Sequence, residues 1–356
     1  MPLHTVSAVD ALSQLEQFDA IVDARSPGEF ALDHLPGAQN WPSLNDEERV
    51  HVGTMYKQVN AFEAKKVGAA MVAKNAAHHI EQHLIHAPKS WHPLVYCWRG
   101  GNRSHAQATI WSAIGFKVAL LEGGYKAFRA AVVADIPQQV QRLNWFVVAG
   151  ATGVGKTHIL HALRDQGHQI LDLEGLANHR SSVLGLLPGE QQPTQKQFET
   201  RLWDALRKLR SDAPVFIESE SKRVGNVTVP ESLILAIRAS ACVHIEMDRP
   251  LRAALLLRDY AHFANDTLLF ANRLDTLTSH LGHATINEWK RLLQTGQVAD
   301  VVHALLEQHY DPKYFESMRR NFTHYAQAAQ VQVHGIDDAD MADAAQQVIG
   351  LAAHPV

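Results

Sequence analysis

The eight residues Gly150-Ala151-Thr152-Gly153-Val154-Gly155-Lys156-Thr157 restrict the architecture of this 356-residue chain more than any other stretch. They follow the apolar run Trp145-Phe146-Val147-Val148-Ala149 and precede Ile159, Leu160 and Leu163, which fall at helical spacing. A strand, a glycine turn and a helix are expected in that order. Glycines let such a turn wrap an anion with its N–H groups inward. Gly150, Thr152, Gly153, Val154 and Gly155 would supply the backbone of the cradle, Lys156 a mobile positive charge and Thr157 a hydroxyl for a magnesium ion. Two further apolar runs end on carboxylates, Gln169-Ile170-Leu171-Asp172 and Pro214-Val215-Phe216-Ile217-Glu218. Open α/β sheets place their ligand crevice at such strand ends, so Asp172 and Glu218 are candidates to bind magnesium, orient water or act as a base. An ordinary helix cap or surface acid is the competing assignment for each. Asn178, His179 and Arg180, followed by Ser181 and Ser182, and then Glu220, Ser221, Lys222 and Arg223 mix basic, hydroxyl and acidic groups without apolar periodicity and read as substrate loops.

A second reactive stretch lies upstream. The run Pro93-Leu94-Val95-Tyr96 delivers Cys97 into Trp98-Arg99-Gly100-Gly101-Asn102-Arg103-Ser104, and the periodic residues after it predict a helix. Inward amides, a helix N-terminus, Arg99 and Arg103 would together favour a thiolate, the nucleophilic form of cysteine. A purely structural thiol would prefer apolar neighbours.

Composition limits what the remainder can be. At 46% hydrophobic residues the chain can bury sizeable cores, and its length favours two or three domains. A net charge of −4 argues against a broadly basic nucleic-acid binder, so any RNA contact must be regional. Two cysteines, Cys97 and Cys242, are too few for a disulfide framework; a reducing, cytoplasmic setting is expected. The start of the sequence lacks the pattern of a signal peptide, and no apolar run reaches the ~18 residues of a membrane span, so no membrane association is expected.

The pattern predicts an α/β chain in four parts. Residues 1–137 form a first α/β domain with a helical insertion at about 45–90, and 138–143 a polar linker. Residues 144–250 form the phosphate-loop domain with a parallel sheet, and 251–356 a mainly helical region packed on it. In the insertion, His79 and His83 have the i, i+4 spacing of metal ligands, but no acidic or cysteine partner completes a site, so a solvated helix face is expected and no metal site is assigned. In the last region Arg252, Arg258, Arg273, Lys290, Arg291, Lys313, Arg319 and Arg320 alternate with Trp289, Tyr310, Tyr314 and Phe315. That mixture suits an RNA backbone and its bases, although solvated faces and core aromatics account for such residues more often.

The Cys97 loop resembles the active-site loop of rhodanese-type sulfurtransferases. Asp23-Ala24-Arg25-Ser26-Pro27-Gly28-Glu29-Phe30, His34-Leu35-Pro36-Gly37-Ala38 and Leu121-Glu122-Gly123-Gly124-Tyr125 resemble other signatures of that family. Five residues separate Cys97 from Arg103, as in related dual-specificity phosphatases, whereas thiosulfate sulfurtransferases usually have a loop one residue shorter; the wider loop suits a tetrahedral, phosphate-like donor. A rhodanese-like domain followed by a P-loop NTPase-like domain, with the Asn178-His179-Arg180 and Phe216 to Ser221 segments, resembles the tRNA 2-selenouridine synthases over nearly the whole chain. Ser181, where a glycine would be expected, and Asn102, where a bulkier residue would be, depart from that pattern without removing a charged or nucleophilic group.

This resemblance implies a selenotransferase with geranyltransferase activity. Its substrates would be geranyl diphosphate, selenophosphate and a tRNA with 2-thiouridine at the wobble position, with no tightly bound cofactor, magnesium as a candidate ion, and a selenophosphate-supplying enzyme as a candidate partner. Cys97, Arg99 and Arg103 would be catalytic, and the P-loop would hold the diphosphate. The alternatives are a cysteine phosphatase or sulfurtransferase with a fused nucleotide-binding domain, a P-loop small-molecule kinase with Asp172 as base, and a non-catalytic RNA-binding module.

Overall fold

The computed structural model describes residues 3–180, 185, 189 and 191–353, and the chain divides into two compact units. The first contains the residues up to Asp135 together with Thr194–Asp204; the second contains Ile136–Pro193 and the residues from Ala205 onward.

The first unit is built on five parallel strands, β1 (His4–Val6), β2 (Ala20–Asp23), β3 (Ala38–Asn40), β4 (Pro93–Tyr96) and β5 (Ala119–Leu121), in the order β1-β5-β4-β2-β3. β4 is buried along its whole length, as a central parallel strand covered on both faces must be. The helix Asn102–Ile114 brings Ala108 and Trp111 into one core with Val22, Val95 and Leu120, joined by Trp41 and Phe116. The inserted residues fold as the helices Asp46–Gln58 and Ala61–His79, whose first turns are capped by Asn45 and Asn60. The solvated face expected here holds for His83, which is exposed, and not for His79. His79 is buried with Nε2 3.0 Å from the Pro42 carbonyl, and the His83 ring stacks on Trp41 at 4.4 Å. Aromatic stacking on Trp41 is what this histidine spacing provides.

The expected linker at 138–143 is also corrected, because the helix Gly124–Gln141 runs through most of it with Pro137 inside. Phe128, Val132, Ile136 and Val140 are all buried, a continuous i, i+4 stripe. Burial of that stripe outweighs the roughly 3 kcal/mol penalty of an interior proline.

The second unit repeats the parallel plan with β6 (Asn144–Gly150), β7 (Gln169–Leu171), β8 (Pro214–Glu218), a short antiparallel pair β9 (Arg223–Val224) and β10 (Val227–Thr228), β11 (Cys242–Met247) and β12 (Ala329–Val333). The five parallel strands lie in the order β12-β11-β6-β8-β7. The helix Lys156–Asp165 buries Ile159, Leu160 and Leu163 on this sheet, and the closing helix Asp338–Ala353 adds Met341, Ala344 and Val348 to the same core. The mainly helical region is thus tied into the P-loop sheet by its own strand, β12. Its helices between Arg249 and Asn321 also enclose a second core, around Phe270, Leu274, Ile286, Trp289 and Val301.

Trp111 is fully buried between the sheet and the insertion, against Trp41 and Trp91. Trp111→Ala is expected to destabilise the first unit by about 3–5 kcal/mol, read as a shift of its urea-denaturation midpoint.

Candidate functional site: a cysteine loop and a P-loop cleft

Cys97 follows the last residue of β4 directly, and the loop after it closes on the N-terminus of the helix Asn102–Ile114. The sulfur is the focus of that closure. It accepts from the Gly101 N–H at 3.2 Å and from the Ser104 hydroxyl at 3.2 Å. The loop is braced by the turn Gly123-Gly124-Tyr125, in which the Tyr125 N–H donates to the Cys97 carbonyl at 2.8 Å and the Lys126 N–H to that of Trp98 at 3.1 Å. Gly124 has φ +58°, and a Cβ there would stand 2.2 Å from the Cys97 carbonyl oxygen, so only glycine fits. Arg103 leaves the loop to donate to Glu29 at 2.6 Å, and Arg49 joins the same carboxylate at 3.1 Å. Burial alone would raise the Glu29 carboxyl, but the two guanidiniums hold it below its usual range. Arg99 is exposed and makes no hydrogen bond or ion pair among the described residues.

A buried polar network stands behind this loop. Arg25, 1% exposed, grips Asp23 through Nε and Nη2, donates to the Asp33 carbonyl at 2.6 Å and lies 3.9 Å over the Tyr125 ring. The Tyr125 hydroxyl donates to Asp33 at 2.8 Å, as does Thr200 at 3.1 Å. Arg129 binds Glu199 and the Thr200 hydroxyl. Residues of the motif segments therefore set the position of the turn that braces Cys97. The resemblance pointed to Arg25 and Tyr125 as motif members; nothing in the sequence pattern pointed to Thr200.

The P-loop opens into a cleft of about 600 Å³ in the second unit. Thr152, Gly153, Gly155, Lys156 and Thr157 line it; Gly150 ends β6, and Val154 is buried beneath the loop, against Gly150. Lys156 Nζ reaches the Gly150 carbonyl at 2.8 Å, and Thr157 donates to Glu174 at 3.2 Å and to Glu218 at 3.4 Å. Glu174, Glu218 and Glu220 each place a carboxylate oxygen within 4.8 Å of the others. Burial raises the Glu218 carboxyl well above its ordinary value, and the neighbouring Glu174 and Glu220 raise it further, against Lys156. Its Oε1 is buried without a hydrogen-bond partner among the described residues. Three carboxylates and a threonine hydroxyl form a hard, oxygen-only donor set that fits magnesium.

Asp172, expected to serve this site, instead caps the helix Leu173–Ala177 through the Gly175 N–H at 2.8 Å and pairs with His161 at 2.9 Å. Its position at a strand end followed by a helix makes it a cap, and the carboxylate two residues later, Glu174, faces the P-loop threonine. Arg180, Glu220 and Ser221 line the cleft, whereas Asn178, His179, Lys222 and Arg223 do not. Asn178 adopts φ +48° to end its helix, burial lowers the His179 imidazole, and Arg223 belongs to β9. Ser181 and Ser182 lie outside the described residues.

Two residues that the sequence reading places in the basic and aromatic set, Arg252 and Tyr314, stiffen the loop instead. Arg252, 6% exposed, donates to the Thr152 carbonyl at 2.7 and 2.9 Å and pairs with Asp311. The Tyr314 hydroxyl accepts the Gly150 N–H at 2.5 Å and lies 3.3 Å from Ser219 Oγ. Residues Gly150 and Tyr314 are 164 positions apart, beyond the reach of local pattern. Arg252 and Trp289 are buried and serve the fold, whereas Tyr314 both braces the loop and lines the cleft. Arg258, Lys290 and Arg291 bind the Ile336 carbonyl, Asp275 and Glu288, respectively.

A rhodanese-like domain carrying a hydrogen-bonded cysteine, joined in one chain to a P-loop domain with an acidic triad, defines the class of protein. A rhodanese-like family description matches residues 6–131, and the description of the tRNA 2-selenouridine synthase AAA domain matches residues 143–272. The chain is 30% identical over 364 residues to the tRNA 2-selenouridine synthase of Bdellovibrio bacteriovorus, covering 90% of this chain and 94% of that protein. It is 34% identical to that of Pseudomonas putida, covering 83% and 86%, and 35% identical to that of Nitrosomonas europaea, where the match spans 71% of this chain and 66% of the relative. The chain belongs to the tRNA 2-selenouridine synthase family.

The raised Glu218 carboxyl sets a pH signature. The folded state holds this proton more tightly than the unfolded chain, so the contribution to stability is complete below the ordinary value near 4.5 and is lost as pH rises through the folded value. In magnesium-free buffer, Glu218→Gln should match wild type near pH 4 and melt higher at pH 8, by roughly 2–4 °C per kcal/mol recovered. Added magnesium should raise the melting temperature of wild type and not of the variant. Thermal melts across pH with EDTA or magnesium check both.

Proposed function

We propose that this protein converts 2-thiouridine at the wobble position of tRNA to 2-selenouridine in two steps, one at each loop. The carrying observation is that a member of this family has two glycine-containing loops of different chemistry, one with a cysteine and one with a lysine and a threonine, each following the central strand of its own parallel sheet. In the first step the thiouridine sulfur attacks C1 of geranyl diphosphate. The S–C bond forms, the C–O bond breaks with its electron pair leaving on diphosphate, and the uridine N3 proton is released. Lys156 and the P-loop amides would take up the charge developing on the leaving group, where preorganised donors are worth most. Thr157, Glu174, Glu218 and Glu220 would hold a magnesium ion, which when bound supplies further positive charge at the diphosphate.

In the second step Cys97 attacks selenophosphate. The five-residue spacing to Arg103 and the amide-lined loop favour attack at phosphorus: the S–P bond forms, the P–Se bond breaks, and hydrogen selenide leaves. Water then returns the cysteinyl phosphate to thiol and phosphate. Selenide adds to C2 of the alkylated base and expels geranylthiol, a far better leaving group than the sulfur of unmodified thiouridine. Arg99 would meet the phosphate from solvent, and Arg103 would exchange its Glu29 carboxylate for the phosphate. An enzyme making selenophosphate would supply this step.

Incubation of 2-thiouridine-containing tRNA with geranyl diphosphate and selenophosphate, followed by mass spectrometry of its nucleosides, tests the division. Cys97→Ser should stall at the geranylated base with geranylation intact, and Lys156→Ala should lower geranylation by about 10²-fold or more. Full selenation by Cys97→Ser would rule out the assigned role, and phosphate release from an aryl phosphate without any change in tRNA would mark a cysteine phosphatase instead.

A further inference from the structure

Beside the P-loop cleft lies a second, apolar slot. Of the twelve residues lining it only Thr152, Tyr260 and Tyr310 carry a polar side-chain group; the others include Phe263, Phe270 and Leu305. Thr152, Leu256, Tyr260 and Tyr310 line both spaces, so the slot begins at the phosphate loop itself. Leu256 is pressed against that loop: a Cβ on Gly153 would come within 3.0 Å of its side chain. A molecule with its diphosphate on the loop amides therefore has its organic end directed at an apolar mouth. A nucleoside would fit poorly there, since its base edge and ribose would be buried with few hydrogen-bonding partners.

We infer that this slot receives the hydrocarbon of an isoprenoid diphosphate and sets the chain length the P-loop site accepts. The inference rests on the geranyl transfer proposed above and deepens it. The slot encloses about 40 Å³, little more than the ~30 Å³ share of one water molecule. The distal methyl groups enter it, and the carbons nearer the diphosphate lie along the shared mouth in the larger cleft. Ala264 and Val298, both partly exposed and on different helices, border the slot, so enlarging either fills it from the rim without cutting into the core.

The test uses the full chain with Ala264→Phe and Val298→Phe. Binding of inorganic diphosphate, dimethylallyl diphosphate and geranyl diphosphate is measured by calorimetry, and transfer of each prenyl group to 2-thiouridine tRNA by mass spectrometry. Wild type should bind geranyl diphosphate at least tenfold more tightly than inorganic diphosphate. Each variant should lose that gain, keep its affinity for inorganic diphosphate and shift its transfer preference toward the shorter dimethylallyl donor. If both variants bind and transfer geranyl like wild type, the slot is not the site while geranylation stands. Loss of inorganic diphosphate along with geranyl diphosphate in both variants would equally overturn the slot assignment. If wild type neither prefers nor transfers geranyl, the functional reading and the slot fall together.

Discussion

A strand at the centre of a parallel sheet is held by ladder hydrogen bonds on both edges and by packing on both faces, so its carboxyl end is among the most fixed points a fold can offer. Both candidate reactive loops start from such a point. β4 is third of five strands in the first unit and β6 third of five in the second. Each passes directly into a glycine-containing turn and then a helix, which brings backbone N–H groups and the positive end of the helix to one place. The chemistry differs only in what the turn presents: a sulfur in one, a lysine and a hydroxyl in the other.

Rigidity at those ends is reinforced by groups far away in sequence. At the P-loop, Arg252 holds the Thr152 carbonyl and Tyr314 takes the Gly150 N–H, so the helices beyond the sheet shape the anion site from outside. At the cysteine, Gly124 permits a backbone approach that any side chain would block. Against these stabilising contacts stands the clustering of Glu174, Glu218 and Glu220, which costs free energy until a cation or a proton neutralises it. Concentrating unfavourable charge where a ligand will compensate for it is common in sites that must bind and release.

Much of this was legible in the sequence. The P-loop and the cysteine loop could be read because their signals are local: glycines, a lysine or a cysteine at fixed offsets from an apolar run. Glu218 was found by the same logic, a carboxylate ending a buried strand. Asp172 followed that rule and failed it, because an acid placed directly before a helix is also its best N-cap, and geometry gave the P-loop threonine to Glu174 instead. The linker expected at 138–143 is largely helix because the buried stripe of Phe128, Val132, Ile136 and Val140 outweighs the helix-breaking signal of Pro137 and the polar glutamines around it. The bracing roles of Arg252, Tyr314 and Thr200 are not legible in the sequence, since the partners Thr152, Gly150 and Asp33 lie more than ninety positions away.

The segment Thr194–Asp204 lies within the P-loop portion of the sequence yet belongs to the first unit, where Arg129 binds Glu199 and Trp203 donates to Asp135. Neither unit is therefore a continuous stretch of chain, and no single cut separates them intact. A cysteine domain produced alone and ended near residue 137 would leave Arg129 without Glu199 and Asp33 without Thr200. For a polymer threaded in this way, the natural fragments are not the ones that sequence motifs suggest, and the first unit can be completed only after the P-loop itself has been synthesised.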